Sequence, residues 1–176
     1  MVINPTEFPG LKLINNNRIL DNRGWFEKKF QSILLSELNM QVKEVYASHS
    51  ARGVLRGLHF QSSANAQPKL VTCISGSFID IAVDLRADLP TFGKVFIHEI
   101  NSRNPISVYV PGEFAHGIYS LEENTIMLNM AGAIYSPGNE GGILWSSIPE
   151  LAFINDPILS EKDANLPTLT EVISAL

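Results

Sequence analysis

Lys69-Leu-Val-Thr-Cys-Ile-Ser-Gly-Ser-Phe-Ile-Asp-Ile-Ala-Val-Asp84 contains two short apolar runs separated by a Ser75-Gly76 break. Such runs, bounded by turn-forming residues, are the mark of β-strands. In 78–84, Asp80, Ala82 and Asp84 share one face of a strand, with Phe78 partly breaking the pattern. Ile79, Ile81 and Val83 point to the other side. The same punctuation continues in both directions along the chain. It predicts strands at 11–14, 25–30, 42–47, 54–60, 70–75, 78–84, 94–100, 106–110, 116–121 and 125–131. Breakers fall between them, among them Asn15-Asn-Asn17, Leu89-Pro90, Pro111-Gly112 and Glu122-Glu-Asn124. Helix is scarce: a short one over 30–38 with Ser32 as cap, a turn capped by Ser160, and a helix over 168–175. The residues predict an all-β protein and leave jelly roll, lipocalin-like barrel and sandwich open.

The chain has 176 residues, close to one domain of roughly 150 residues. It shows no internal repeat and no linker, so a single domain over 1–176 is expected. The net charge of −5 disfavours a broad nucleic-acid-binding surface, although it leaves room for a small anion held by local cations. The one cysteine, Cys73, lies in an apolar run and reads as a buried small side chain. The N-terminus shows no signal-peptide pattern. No apolar run approaches the roughly 18 residues of a membrane span. These features predict a soluble, cytoplasmic protein with no membrane partner.

The densest polar signal is Gly53-Val-Leu-Arg-Gly-Leu-His-Phe-Gln61. Arg56 and His59 sit in an otherwise apolar run, where a buried charge needs a partner or an anion. Taken singly they read as a surface arginine and a satisfied core histidine; taken together they point to a site. Strict alternation sends them to opposite faces, but a strand glycine often marks a bulge that re-aims side chains, and Gly57 stands between them. Lys69 opens an apolar strand, where an ammonium either guards a sheet edge or meets an anion or a carbonyl oxygen. His116 follows the Pro111-Gly112 turn, facing a cavity or bonded to backbone. A metal is not expected. The pattern His-x-His is broken at His59-Phe-Gln61, and the four histidines are scattered. Phosphate loop, dinucleotide fingerprint and nucleophilic serine elbow are all missing. Proton transfer has a candidate in His59, whose intrinsic pKa lies near neutrality.

The ordered motifs Gly53–Gln61, Ala66-Gln-Pro-Lys-Leu-Val71, Asp80-Ile-Ala-Val-Asp-Leu-Arg86 and Pro90-Thr-Phe-Gly93 are followed by four more. These are Val110-Pro-Gly-Glu-Phe-Ala-His-Gly117, Tyr135-Ser-Pro137, Gly142-Ile-Leu-Trp145 and Leu159-Ser-Glu-Lys-Asp163. From about Arg23 to Asp163 the chain resembles the dTDP-4-dehydrorhamnose 3,5-epimerase family. The resemblance implies a cupin-type jelly roll (a double-stranded β-helix) with a few short peripheral helices, a homodimer, and no metal or organic cofactor. It implies an isomerase whose substrate is a nucleoside-diphosphate 4-keto-6-deoxy sugar, epimerised at C3, C5 or both. The family's histidine base and its orienting aspartate fall on His59 and Asp163. Lys69 and His116 match residues lining the 4-keto oxygen. Arg56 matches a diphosphate ligand, and Arg23 an arginine reaching the nucleotide from the neighbouring subunit. Phe26, Gln61 and Asn129 complete the expected substrate-binding set.

The chain departs from that family at three places. The family's catalytic tyrosine aligns with Asn129, and an amide is too weak an acid to replace it. The outcome expected from this is epimerisation at one centre only, or reprotonation by water or by another tyrosine such as Tyr135. Lys28 stands where the family has an acidic residue, with Glu27 displaced by one. Glu44 and Tyr46 stand where a nucleotide-contacting Gln and Asn are usual. Two alternatives follow: a 3,4-ketoisomerase, marked by a product with its ketone at C3, and a non-catalytic sugar-nucleotide-binding protein, marked by binding without proton exchange.

Overall fold

A computed structural model describes residues 1–176, residue 63 by its backbone alone. The described residues form thirteen strands and three short α-helices. The first strands are β1 (Val2–Pro5), β2 (Lys12–Asn15), β3 (Arg18–Asp21), β4 (Gly24–Glu27), β5 (Glu44–Ser50), β6 (Leu55–Gln61) and β7 (Lys69–Ser75). They are followed by β8 (Ser77–Asp84), β9 (Val95–Asn101), β10 (Ile106–Val110), β11 (Phe114–Ser120), β12 (Thr125–Ala131) and β13 (Glu140–Gly142). The helices are α1 (Ser32–Glu37), α2 (Glu161–Ala164) and α3 (Leu169–Ala175).

Two antiparallel sheets carry the fold, one in the order β1-β2-β10-β7-β12-β5 and the other β13-β6-β11-β8-β9. Strands β3 and β4 form a separate hairpin. From β5 onward the chain passes repeatedly from one sheet to the other, which is the winding of a jelly roll. Strand β8 shows why the alternation is needed. Its Phe78 and Ala82 enter the core between the sheets with Val71, Cys73, Val108, Phe114 and Ile118. Its other face, Ile79, Ile81 and Val83, packs under the C-terminal segment through Ile143, Ile148, Leu151, Ile154 and Val172. On the outer side of the six-stranded sheet, α1 lays Leu34 and Leu38 over Ile14, Leu70 and Met130. Each large apolar side chain buried this way contributes about 1.5–3 kcal/mol.

The face of β8 that carries aspartates therefore turns inward. Asp84 is fully buried, and burial by itself raises the pKa of a carboxyl group. Hydrogen bonds from Arg86 and Thr91 outweigh that effect and hold Asp84 below the usual carboxylate range. The Arg86 guanidinium also lies over an aromatic face, 4.7 Å from the Phe114 ring centre.

Each of the ten expected strand segments overlaps a strand; 106–110 and 125–131 match at both ends, and the others are shifted at one or both ends. Strands β1, β3 and β13 were not expected; Asn4 and Pro5 in β1 and the two glycines of β13 read as loop. The expected Ser32 cap is corrected: Gln31 occupies the N-cap of α1 without a side-chain bond. Ser160 does cap α2, accepting from Asp163 N–H. Thr168 and Glu171 form a capping box on α3.

The glycine between Arg56 and His59 has the consequence anticipated for it. In the β6–β11 ladder His59 pairs with His116 and Arg56 with Ile118, so β6 advances by one extra residue. Gly57 absorbs that residue with φ +103, where a Cβ would lie 2.7 Å from the His116 carbonyl oxygen. Arg56 and His59 consequently face the same cavity. Gly57→Ala is expected to destabilise the fold by about 1–3 kcal/mol from backbone strain, with the carbonyl clash in addition. Urea denaturation of the variant against the parent measures this.

Candidate active site

A cavity of about 570 Å³ opens between the two sheets. Strand β6 supplies its side wall through Arg56 and His59, and α2 closes against it with Asp163. The Ser160 cap fixes the first turn of α2, and Asp163 then reaches back to β6. One carboxylate oxygen lies 2.7 Å from His59 Nε2, and the other accepts Gly57 N–H at 3.0 Å. Asp163 is buried, which raises its pKa, but the bonds from His59 and Gly57 prevail and keep it below the ordinary aspartate range. A charged Asp163 accepts Nε2–H, so Nδ1 of His59 keeps its lone pair and can take a proton.

The cavity floor is cationic. Lys69 is buried, and burial pulls its pKa down to about 8, against the opposing pull of Asp80 and Glu140. His116 Nε2 lies 2.8 Å from Asp80 Oδ2, a second buried histidine–carboxylate pair. Arg56 is anchored on β5, donating from Nε to Ser50 Oγ at 3.0 Å and from Nη2 to the His49 carbonyl at 2.9 Å. Its remaining donors stay available.

Other expected residues have different positions. Gln61 lines the cavity, but its amide is occupied by the chain itself. It donates to the carbonyls of Asn65 and Ile134 and accepts from Ser136 N–H. Within the chain its contacts hold the 134–136 loop. Asn129 lines the wall and donates to Tyr46 Oη at 2.6 Å. Arg23 and Phe26 do not line this cavity in their own chain. They lie on the β3–β4 hairpin, Arg23 exposed and paired with Asp21, Phe26 exposed. Glu27 is a clamp for that hairpin, accepting from Asn16, Arg18 and Lys29.

Sequence reasoning missed Ser48, Glu140 and Lys162, all of which line the cavity. It noted Tyr46 only as a departure from the family pattern. Lys162 bonds Glu140 at 2.5 Å, and Tyr135 O–H donates to the same carboxylate at 2.7 Å. The signal for Lys162 was present in its position next to Asp163. Glu140 sits between Asn139 and Gly141, with no pattern to mark it. Among the described residues, no three His, Cys, Asp or Glu side chains converge as a metal site would require.

The family model described as dTDP-4-dehydrorhamnose 3,5-epimerase matches residues 5–171. The chain belongs to the dTDP-4-dehydrorhamnose 3,5-epimerase family. It is 37% identical to the Salmonella typhimurium enzyme of that name over 98% of both chains. It is 35% identical to the enzyme of that name from Methanothermobacter thermautotrophicus, over 94% of this chain and 93% of the relative. The solved Bacillus anthracis dTDP-4-dehydrorhamnose 3,5-epimerase, with TDP and pyrophosphate bound, superposes with a TM-score of 0.89 at 35% identity, covering 95% of this chain and 98% of that one. The Legionella pneumophila epimerase in complex with dTDP-4-keto-L-rhamnose gives 0.89 at 34% identity, covering 96% and 93%. These epimerases share the cupin jelly roll.

Lys69 in this epimerase-family chain yields a stability test. Its folded pKa of about 8 lies below the ordinary 10.5, so the unfolded chain binds the proton more tightly. The cost of burying the ammonium is full below pH 8 and is relieved as pH rises from 8 toward 10.5. Lys69→Met is expected to be more stable than the parent at pH 7, and the gap should shrink by pH 9.5. Paired urea titrations at the two pH values check this.

Proposed function

We propose that the protein epimerises a nucleoside-diphosphate 4-keto-6-deoxy sugar by removing a proton α to the ketone. The observation that carries this reading is the His59–Asp163 pair, which shares one open cavity with the buried Lys69 and His116. His59 Nδ1 takes the proton, and Asp163 stabilises the resulting imidazolium. The electrons left behind flow to the 4-keto oxygen. Lys69, an ammonium below about pH 8, and His116, both buried, stabilise the enolate. Arg56 is held by Ser50 and His49 and offers its free donors to the diphosphate. The reaction moves only protons, so these side chains supply the chemistry it needs.

The dTDP sugars named with the relatives support thymidine diphosphate as the carrier. The relatives are named as epimerases, which favours this reaction over ketone migration or binding alone.

A homodimer belongs to this reading. The β3–β4 hairpin leaves Leu20 75% and Phe26 59% exposed, an apolar surface that a second copy would cover. Arg23 and Phe26 on that hairpin would then reach the partner's cavity. Light scattering is expected to give two chains per particle for the parent and one for the double variant Leu20→Glu, Phe26→Glu.

Incubating the protein with dTDP-4-keto-6-deoxyglucose in deuterated water should introduce deuterium at C3, C5 or both, read by NMR. No exchange at either carbon would sink the reading. His59→Asn should lower exchange by about 10²–10⁴-fold while thymidine diphosphate binding stays within a few-fold of the parent.

A further inference from the structure

Inversion at a carbon needs a proton removed on one face and another delivered on the opposite face. The epimerase reading gives His59 the first task and leaves the second unassigned. Asn129 cannot perform it, because an amide does not protonate an enolate carbon. Lys69 and His116 are committed to the oxygen. Tyr135 donates its O–H to Glu140, and Glu140 lies on β13, which pairs directly with β6 beside His59. That phenol is engaged, and the carboxylate that holds it stands on the same sheet as the base.

Tyr46 differs on both counts. It rises from β5 in the six-stranded sheet, whereas His59 rises from β6 in the five-stranded sheet. Its side chain lines the same cavity. In the β5–β12 ladder Tyr46 is the direct partner of Asn129, and the Asn129 amide N–H donates to Tyr46 Oη at 2.6 Å. Accepting that bond leaves the phenolic proton free to be donated. The same bond strengthens as negative charge grows on the oxygen, so it favours proton release. Burial and the nearby Glu44 raise the phenol's pKa, while the Asn129 bond acts in the opposite direction. Asn129 Oδ1 has no partner among the described residues, so the amide's one hydrogen bond is the one that holds Tyr46.

We propose that Tyr46 is the proton donor of the reaction, positioned by Asn129, and that it delivers its proton to the enolate carbon on the face opposite His59. This inference rests on the epimerase reading. In the first step the C–H bond α to the ketone breaks. Its electron pair becomes the enolate double bond, and the proton joins His59 Nδ1. In the second step that pair forms a new C–H bond with the Tyr46 proton, leaving a phenolate that accepts from Asn129 N–H. Solvent then returns a proton to Tyr46 and takes one from His59.

The test is Tyr46→Phe, which deletes one oxygen, assayed with dTDP-4-keto-6-deoxyglucose in deuterated water. Thermal melting and thymidine diphosphate binding confirm that the variant is folded. The expected result is inverted product reduced about 10²–10⁴-fold, with deuterium still entering at the original configuration because His59 can remove and return a proton on its own face. Tyr135→Phe is expected to form inverted product at least about 100-fold faster than Tyr46→Phe. Inversion by Tyr46→Phe within five-fold or so of the parent would overturn the assignment. Equal loss of exchange and inversion in the folded variant would overturn it as well, since a proton donor acts after the C–H bond has broken. Absence of both exchange and product in the parent protein would instead refute the epimerase reading itself.

Discussion

The Asp163 carboxylate joins two groups that lie about a hundred residues away in sequence, the backbone N–H of Gly57 and the ring of His59. One oxygen pins the bulge of β6, and the other sets the histidine tautomer. Without the bulge, Arg56 and His59 would fall on opposite faces of the sheet. Without the carboxylate, His59 would have no fixed ring orientation and no counter-charge for its protonated form. The short α2 helix exists in the right place because Ser160 caps its first turn, so a single serine hydroxyl supports the geometry of the His59–Asp163 pair.

The interior of the jelly roll reconciles this polar site with a stable core. Strand β8 is buried on both faces, so its aspartates cannot escape to solvent. Each is matched to a cation or a potential one: Asp84 to Arg86, Asp80 to His116. A buried carboxylate without such a partner would cost several kcal/mol. The same reasoning explains how a chain of net charge −5 accommodates an anionic ligand. Arg56, Lys69 and His116 gather on one cavity, and the acidic surplus is distributed elsewhere.

The two sheets divide the proposed chemistry between them. The base and its carboxylate belong to the five-stranded side, with the Tyr135–Glu140–Lys162 cluster beside them. The six-stranded side contributes Lys69, Asn129 and Tyr46. An antiparallel partner lies about 4.8 Å away across the ladder, a distance that a phenol side chain spans. A hydroxyl rooted on β5 can therefore act in the space in front of β12, and the Asn129 amide secures it there.

Much of this was legible in the residues. Short apolar runs between Gly, Pro, Asn and Ser located ten strand segments, because alternation and turn chemistry are local properties. Gly57 announced the bulge, since a strand glycine between two polar residues has few other uses. The motifs around His59, Lys69, His116 and Asp163 identified the family. Local patterns could not show that Gln61 spends its amide on a loop, because its partners lie as far along the chain as Ser136. Nor could they show that Arg23 and Phe26 stand outside the cavity of their own chain, or that Glu140 and Lys162 meet. The sequence by itself determined the strands, the bulge and the chemical types at the site. Only the tertiary structure decided which side chains share the cavity and that Tyr46 bonds Asn129, because those contacts depend on how two sheets close over one another.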